Sequence, residues 1–156
     1  MEFVENENLK VIIFQLQDEE YALPVEYVSA IERVHPITRV PGTAKFIKGV
    51  MNLRGIVIPI VDLRLRFGME EKELTDQSRF IIVTINELQV GLIVDAASDV
   101  IDLPKAKIEP NPEVVGQVSV DYIDGVAKID ERLFVLLNLE KILTSEQHQL
   151  LVKMEG

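Results

Sequence analysis

Residues 80–94 read FIIVTINELQVGLIV, and this stretch decides the fold class. Two apolar runs, 80–85 and 90–94, leave only Asn86-Glu87-Leu88-Gln89 for the reversal between them. Side chains that branch at Cβ favour extended backbone over helix, and each run has the length of a typical strand. The stretch therefore predicts a β-hairpin, although its turn lacks glycine.

The same pattern recurs along the chain, and it predicts a mainly β protein. Asp130 and Glu131 separate two further apolar runs and predict a second hairpin. Many strands with few helices favour antiparallel barrels or a sandwich over βαβ units. Pro59 cannot donate to a strand ladder, so it indicates a sheet edge or a bulge. Other charge-free windows of strand length span 11–17, 55–61, 114–120 and 133–139.

Three segments lie outside the predicted strands. Residues 1–9 are expected to be a flexible N-terminus, and the proline-containing segment 104–112 is expected to connect two lobes. A C-terminal helix is predicted over 144–154. Thr144 can cap its first turn while Gln147, three residues later, completes a capping box.

Composition limits the function classes. The chain has 156 residues, 47% of them hydrophobic, a formal net charge of -10 and no cysteine. This content fills a core for one domain or two small lobes, and it excludes disorder, disulfides and thiolate metal sites. The acidic balance disfavours nucleic acid and anionic lipid. No apolar run is long enough to cross a bilayer, so we expect a soluble, cytoplasmic protein with no direct membrane insertion.

A search for reacting groups gives little. His35 and His148 are expected at the surface, no Gly-x-Ser-x-Gly or phosphate-loop motif occurs, and no cofactor is predicted. Asp95, Asp99 and Asp102 form the nearest approach to an acidic cluster. A metal-assisted hydrolase built on them stays open as an alternative. A barrel that binds a small apolar ligand is another, and it predicts an open cavity.

The segment Asn52-Leu53-Arg54-Gly55 favours a protein-binding role. An Arg beside apolar residues in an acidic protein is typical of interfaces, because its planar donors bridge carboxylates or carbonyls. The alternatives are that Arg54 pairs with Asp62 or another acid and that Gly55 serves a turn with positive φ. Upstream, the spacing of three between Val25, Val28 and Ile31 would align them on a short helical turn, and the favoured interpretation of these residues taken alone is that they belong to the core.

Residues 46–64, FIKGVMNLRGIVIPIVDLR, resemble the signature of the CheW family of bacterial chemotaxis coupling proteins. The likeness is supported by 18–25 (DEEYALPV) upstream and by 90–95 (VGLIVD) downstream. It recurs in 122–125 (YIDG) and 137–143 (LNLEKIL), and it runs from about Val11 to Leu151.

The resemblance implies one domain over residues 1–156, made of two SH3-like, five-stranded β-barrel lobes that share a hydrophobic core, without catalytic activity. It implies an adaptor that couples transmembrane chemoreceptors to the histidine kinase CheA. Its partners would be the CheA regulatory domain and the cytoplasmic tip of methyl-accepting chemoreceptors. The isolated protein would be a cytoplasmic monomer that is recruited to membrane-associated receptor arrays. A CheW-like regulatory domain of a larger signalling protein is the nearest alternative.

The resemblance also implies roles for individual residues. Arg54 matches the signature Arg that is associated with receptor contact. Many relatives carry Glu where this chain has Ala30, so that carboxylate is missing here and Glu32 is not presumed to replace it. The other implied receptor-binding positions are Asn52, Leu53, Gly55, Gly49, Val28 and Ile31. The implied kinase-binding positions are Val25, Glu32, Val57 and Asp62.

Overall fold

A computed structural model describes residues 7–110 and 120–155 of the chain. Most of these residues lie in two antiparallel-rich sheets, with short helices between strands and one longer helix near the C-terminus. The strands are β1 Asn8–Leu16, β2 Glu19–Pro24, β3 Val28–Arg33, β4 Ile47–Leu53, β5 Ile56–Asp62, β6 Arg79–Ile85, β7 Leu88–Val94, β8 Ala96–Pro104, β9 Ile108–Glu109, β10 Ile123–Ile129 and β11 Arg132–Leu137. The α-helices are α1 Leu63–Arg66 and α2 Ser145–Glu155, and 3-10 turns span Val25–Tyr27, Lys105–Lys107, Val120–Tyr122 and Leu139–Lys141.

The two sheets form two lobes. Lobe 1 contains strands in the order β8-β1-β2-β11-β10-β9, and lobe 2 has the order β3-β6-β7-β5-β4. In lobe 2 the chain after β3 closes onto β4, because Thr38 and Val50 exchange backbone hydrogen bonds of 2.7 and 2.9 Å. In lobe 1 the chain passes through Lys105–Lys107 from the β8 edge to the β9 edge. Counting β8 and β9 as one interrupted strand gives five strands in each lobe, as the resemblance implied.

Both predicted hairpins are confirmed, and the first shows how a turn forms without glycine. Asn86 and Glu87 join β6 to β7 with φ of 48° and 72°. Two positive φ values are what a two-residue hairpin turn needs to match strand twist, and Asn tolerates this conformation better than most residues. In the second hairpin Asp130 follows β10 with a φ of 56°.

Pro59 lies in an interior strand, so the edge interpretation is wrong. β5 sits between β7 and β4, and Pro59 opposes Val50. Val50 directs its own N–H and C=O to Thr38 on the other side, so the Val50–Pro59 pair needs no hydrogen bond from proline. Pairing of β5 with β7 starts only at Ile60, and β4 carries a bulge between Ile47 and Gly49. The sheet thus tolerates the missing donor at this position.

The lobes share one hydrophobic core. The main buried cluster takes Tyr21, Leu23 and Val135 from lobe 1 and packs them with residues of lobe 2 such as Val83 and Leu92. Each lobe also has a smaller apolar interior of its own. The outer face of the lobe 1 sheet is therefore buried against lobe 2, and the two-lobed mainly β prediction is confirmed.

The chain ends and the connector differ in part from expectation. β1 begins at Asn8, inside the segment predicted to be flexible, while residues 1–6 fall outside the described part of the chain. The connector contains a 3-10 turn and β9 before residues 111–119, which are also not described and include most of the window 114–120.

The C-terminal helix is confirmed. Thr144 and Gln147 cap each other, each backbone N–H donating to the other's side-chain oxygen at 3.0 and 3.1 Å.

Tyr21 carries a buried hydroxyl without a hydrogen-bond partner among the described residues. Its ring stacks between Phe14 and Phe67, and burial raises the pKa of the phenol. Because an unpaired buried hydroxyl opposes folding, we expect Tyr21→Phe to leave the free energy of unfolding unchanged or to raise it by about 1 kcal/mol. Urea unfolding measures this. A loss above 1 kcal/mol would reveal a partner for the hydroxyl.

Candidate interaction surface

The Asn52-Leu53-Arg54-Gly55 segment forms the turn between β4 and β5. Arg54 and Gly55 have φ of 52° and 87°, the pair of positive values that a two-residue hairpin turn requires. The Asn52 side-chain oxygen accepts a hydrogen bond of 2.9 Å from the Gly55 N–H. Leu53 is buried in the interior of lobe 2. Asn52, Leu53 and Gly55 therefore shape and anchor the turn, and the Arg54 side chain, 74% exposed, is what the turn presents.

Glu32 is the acid that faces Arg54. A guanidinium nitrogen of Arg54 lies 3.5 Å from a carboxylate oxygen of Glu32, whose other oxygen is 3.7 Å from the His35 ring. The alternative pairing with Asp62 is wrong, whereas pairing with another acid is found. Glu32 comes from β3 and Arg54 from the β4–β5 turn, so closure of the lobe 2 sheet brings them together. This ion pair is weak, because the Arg54 side chain is largely exposed to water and its nitrogen lies 3.5 Å from the carboxylate.

Asp62 does not belong to an exposed surface. It is 4% exposed, and its carboxylate caps α1 by accepting hydrogen bonds from the N–H groups of Arg64 (2.9 Å) and Leu65 (3.3 Å). Burial raises its pKa despite these two bonds. The kinase contact expected at Asp62 conflicts with this position, since the side chain is already committed to the helix cap.

Val28 and Ile31 share a face, but not through a helical turn. The 3-10 turn ends at Tyr27, and both residues lie in β3. In a regular strand a spacing of three puts side chains on opposite faces. Ser29 is an extra residue in a bulge, so Val28 and Ile31 point to the same face. Val28 opposes Val83 and Ile31 opposes Ile81, two residues apart on β6.

The face that carries Val28 and Ile31 is the one turned toward the shared core. Val83 and Ile81, their cross-strand partners, both belong to that core. Val28 is half-buried against it, whereas Ile31 is 42% exposed beyond its edge. These two residues therefore mark where the shared core reaches the surface of lobe 2.

Lobe 1 contributes a matching apolar edge that the sequence analysis missed. Val100 in β8 is 57% exposed and opposes Ile12 in β1, which in turn opposes Leu23 of the shared core. Val100 and Ile12 thus lie on the face of lobe 1 that turns toward lobe 2. The signal was present as the adjacent pair Val100-Ile101, because neighbouring strand residues point to opposite faces and only one can enter the barrel. We call Val28, Ile31 and Val100, the half-buried or exposed apolar residues on the faces of the two lobes that turn toward the shared core, the inter-lobe apolar strip.

The remaining predicted kinase-binding positions, Val25 and Val57, lie on different elements. Val25 lies in the 3-10 turn that packs against β1 and β6. Val57 is half-buried in β5 opposite Asn52. The structure does not bring Val25, Val57, Glu32 and Asp62 together, so Val25 and Val57 remain predictions that the structure does not test.

The acidic trio does not form a site. Asp95 accepts two hydrogen bonds from the Arg64 guanidinium, at 2.8 and 2.6 Å, and one of 2.8 Å from the Gln17 N–H. Asp99 and Asp102 are exposed on β8, where their odd spacing puts them on opposite faces. Within residues 7–110 and 120–155, no group of three or more metal-ligating side chains could hold an ion. The hydrolase alternative therefore loses the cluster on which it rested.

Two other expectations also change. His148 is half-buried on α2 and its ring Nε2 lies 3.1 Å from the Ile85 carbonyl oxygen, so the surface prediction is wrong for this residue. The interiors of the lobes are filled by their own side chains, Phe134 and Leu103 in lobe 1 and Phe80 and Met51 in lobe 2. This packing argues against the small-ligand barrel.

Fold and surface together define a two-lobed β scaffold whose exposed features, an apolar strip and an Arg-tipped turn, suit binding to other proteins. The model of the CheW-like domain matches residues 10–147, and the chain belongs to this family of chemotaxis adaptor and scaffold proteins.

Known members of the family are similar over most of their length. Chemotaxis protein CheW of Bacillus subtilis is 40% identical over 140 residues, which cover 90% of each chain. Chemotaxis protein CheW of Klebsiella aerogenes is 36% identical, over 87% of this chain and 82% of the relative. The crystal structure of the scaffolding protein TtCheW from Thermoanaerobacter tengcongensis superposes with a TM-score of 0.81 at 36% identity, covering 86% of this chain and 92% of TtCheW. Among the described helices of our chain, none has the length and apolar character to span a bilayer.

Proposed function

We propose that this protein is a non-enzymatic adaptor that couples transmembrane chemoreceptors to the histidine kinase CheA. The observations that carry the proposal are the inter-lobe apolar strip and the exposed Arg54, whose guanidinium pairs with Glu32, the residue after Ile31. Relatives at 36–40% identity bear the name chemotaxis protein CheW, and a solved neighbour is described as a scaffold. The protein would act by binding both partners and holding them in a fixed arrangement, with no bond made or broken.

The receptor would be held as a helix in a groove. A helix docks by laying apolar residues at spacings of three and four into an apolar furrow. We infer that the strip would form such a furrow, because Ile31 and Val100 come from the two lobes and each is an exposed apolar residue on the face of its sheet that turns toward the shared core. Arg54 would answer receptor carboxylates or helix-end carbonyls. The furrow edges are rigid because each belongs to a sheet, so little ordering is needed on binding.

The kinase would bind elsewhere on the molecule, barrel against barrel. Val25, in the 3-10 turn between β2 and β3, and Val57, in β5 of lobe 2, are half-buried apolar residues and remain the proposed contacts. In this arrangement one adaptor holds both partners at once, and it would be recruited from the cytoplasm to receptor arrays. Reconstitution of CheA activity with receptor membranes, with and without this protein, tests the coupling. Receptor control of the kinase should require its presence, and equal control in its absence would contradict the proposal.

Reversing the charge at the tip of the turn should weaken receptor binding. We expect Arg54→Glu to cost about 2 kcal/mol, roughly a thirtyfold loss of affinity, because a carboxylate would then face both Glu32 and the acidic receptor groups. A pull-down or calorimetric titration with receptor fragments measures this. Lys128→Glu, an exposed charge reversal on lobe 1, is the matched control and should bind normally. Full receptor binding by a folded Arg54→Glu variant would remove Arg54 from the interface.

A further inference from the structure

Lobe 2 carries a cleft that none of the contacts above uses. Its volume is about 580 Å³, and it opens between the segment that leads into β4 and the region after β5. Apolar side chains line part of it, namely Ile37, Val40, Ala44, Ile47 and Leu65. Charged side chains line the rest, namely Arg39, Lys45, Lys48 and Glu71. The cleft is thus both apolar and cationic.

The charge of this cleft is opposite to that of the protein. The chain has a formal net charge of -10, yet the cleft collects three cations against one acid. Lys48 forms an ion pair with Glu71, whereas Arg39 and Lys45 are exposed and form no ion pair within the described residues. The Lys48 hydrogen bond and charge hold the pKa of Glu71 below its usual range, and Lys45 adds to this effect. The lining of the cleft therefore carries more positive than negative formal charge.

The wall of the cleft is fixed by its own hydrogen bonds. The Thr43 hydroxyl donates to the Val40 carbonyl oxygen at 3.0 Å, and the Ile47 N–H donates to the Ala44 carbonyl oxygen at 3.0 Å. Phe46 is in turn held by the Asp62 N–H, which donates to its carbonyl oxygen at 2.7 Å. A cleft formed in advance binds a ligand without first ordering its walls.

The cleft is separate from the proposed receptor surface. Lys48 lies near the start of β4 and Arg54 follows its end, so six residue steps of about 3.3 Å each, about 20 Å in all, separate them along the strand. Exposed charges this far apart are largely screened from one another at physiological salt. A ligand in the cleft can therefore be distinguished from one bound at Arg54.

We propose that this cleft binds a short acidic segment of a partner protein, one that also carries an apolar side chain. Its carboxylates would pair with Arg39 and Lys45, and its apolar residue would pack beside Ala44 and Leu65. Charge complementarity favours this occupant, because a protein of net charge -10 repels an acidic peptide at long range and the cleft lining carries an excess of cations. The cleft would thus give the adaptor a third contact, besides those for receptor and kinase.

A labelled peptide tests this directly. The probe is fluorescein-Glu-Glu-Leu-Glu-Glu-Leu, titrated with the full chain and followed by fluorescence anisotropy. We expect saturable binding that the double variant Arg39→Glu, Lys45→Glu weakens at least tenfold. The double variant Lys10→Glu, Lys128→Glu changes the net charge by the same amount at exposed sites outside the cleft, and it should bind within twofold of wild type.

Backbone amide shifts and a second peptide locate the binding. In ¹⁵N spectra the peptide should shift Gly42, Thr43 and Lys45, and replacing both leucines by serine should weaken binding because the apolar contact is lost. Absence of saturation, equal losses in the two double variants, shifts centred on Arg54, or unchanged binding of the serine peptide would each overturn the proposal. Thermal melts of both double variants show whether they are folded. None of these measurements involves receptor or kinase, so their outcome is independent of the adaptor proposal.

Discussion

Gly49→Ala is expected to destabilise the protein by about 3 kcal/mol or more, the largest effect of any single methyl group we predict. A Cβ at this position would lie 2.1 Å from the carbonyl oxygen of Thr38 and 2.8 Å from its carbonyl carbon. Both contacts are to backbone, which cannot rotate away, and Gly49 also has a φ of 141°. Gly49 adjoins the Thr38–Val50 bridge that closes lobe 2. The substitution should therefore push Thr38 away from β4 and break the bridge that closes lobe 2.

Gly68→Ala is the matched control for this prediction. Gly68 has a φ of 81°, but an added Cβ would meet nothing within 4 Å. It should cost only the strain of an L-residue in left-handed backbone, about 1 kcal/mol. Urea unfolding of both variants separates crowding from strain. Equal losses would show that the Thr38 contact is relieved by movement of the chain. This packing explains why the fold needs glycine at position 49, and the receptor contact there stays a prediction.

Asp95→Ala is the second substitution with a large expected effect, about 3 kcal/mol. Asp95 and Arg64 form a two-point ion pair in which each side chain is only 14% exposed, and Asp95 also accepts the Gln17 N–H. Its carboxylate thus ties the β1–β2 turn and α1 to the end of β7. Removal leaves a guanidinium and a backbone donor without their acceptor, which costs more than an exposed pair would.

The same carboxylate should make stability depend on pH. Burial alone raises the pKa of Asp95, but the hydrogen bonds from Arg64 and Gln17 and the Arg64 charge outweigh it, so the pKa is lowered on folding. A lowered pKa means that the stabilisation is complete above the unfolded-state value, about 4, and is lost as pH falls through the folded value. Asp95→Asn should therefore reduce the decrease in the free energy of unfolding between pH 7 and pH 3, which urea unfolding measures.

Asp62→Asn provides a control of opposite sign. Burial raises the pKa of Asp62, so this group disfavours folding at neutral pH, and that effect diminishes as pH falls through the folded value. The amide keeps the cap on α1 through its oxygen, so the variant should be at least as stable as wild type at pH 7. If Asp62→Asn reduced the loss of unfolding free energy at acid pH as much as Asp95→Asn does, the opposite pKa shifts assigned to Asp62 and Asp95 would be contradicted.

Local features of this fold were predictable from sequence. The hairpin at Asn86 and Glu87 needed only two apolar runs and a short polar interruption, and the capping box of Thr144 and Gln147 spans three residues. Such features depend only on residues that are close together in the sequence, so a sequence pattern is enough to predict them. The two-lobed architecture came from the resemblance, since periodicity left barrel and sandwich open.

Non-local features were not predictable. The bulge at Ser29 exists because β3 pairs with β6, and its residues are far apart in the sequence. The pairing of Arg54 with Glu32 likewise depends on closure of lobe 2. Asp62 resembled a surface acid until α1 was seen to begin immediately after it. The exposure of Val100 depends on which face of β8 enters the barrel, and the adjacent pair Val100-Ile101 indicates only that one of the two residues stays outside.

The arrangement of strands has a consequence for how the protein is made. Lobe 2 is continuous in the chain, whereas lobe 1 joins β1 and β2 to strands that follow β7. During translation, at roughly 5–20 residues per second, β11 is synthesised several seconds after its partner β2. Lobe 2 can therefore complete its pairing on the ribosome while the first two strands wait, with apolar surface that nascent-chain chaperones would bind.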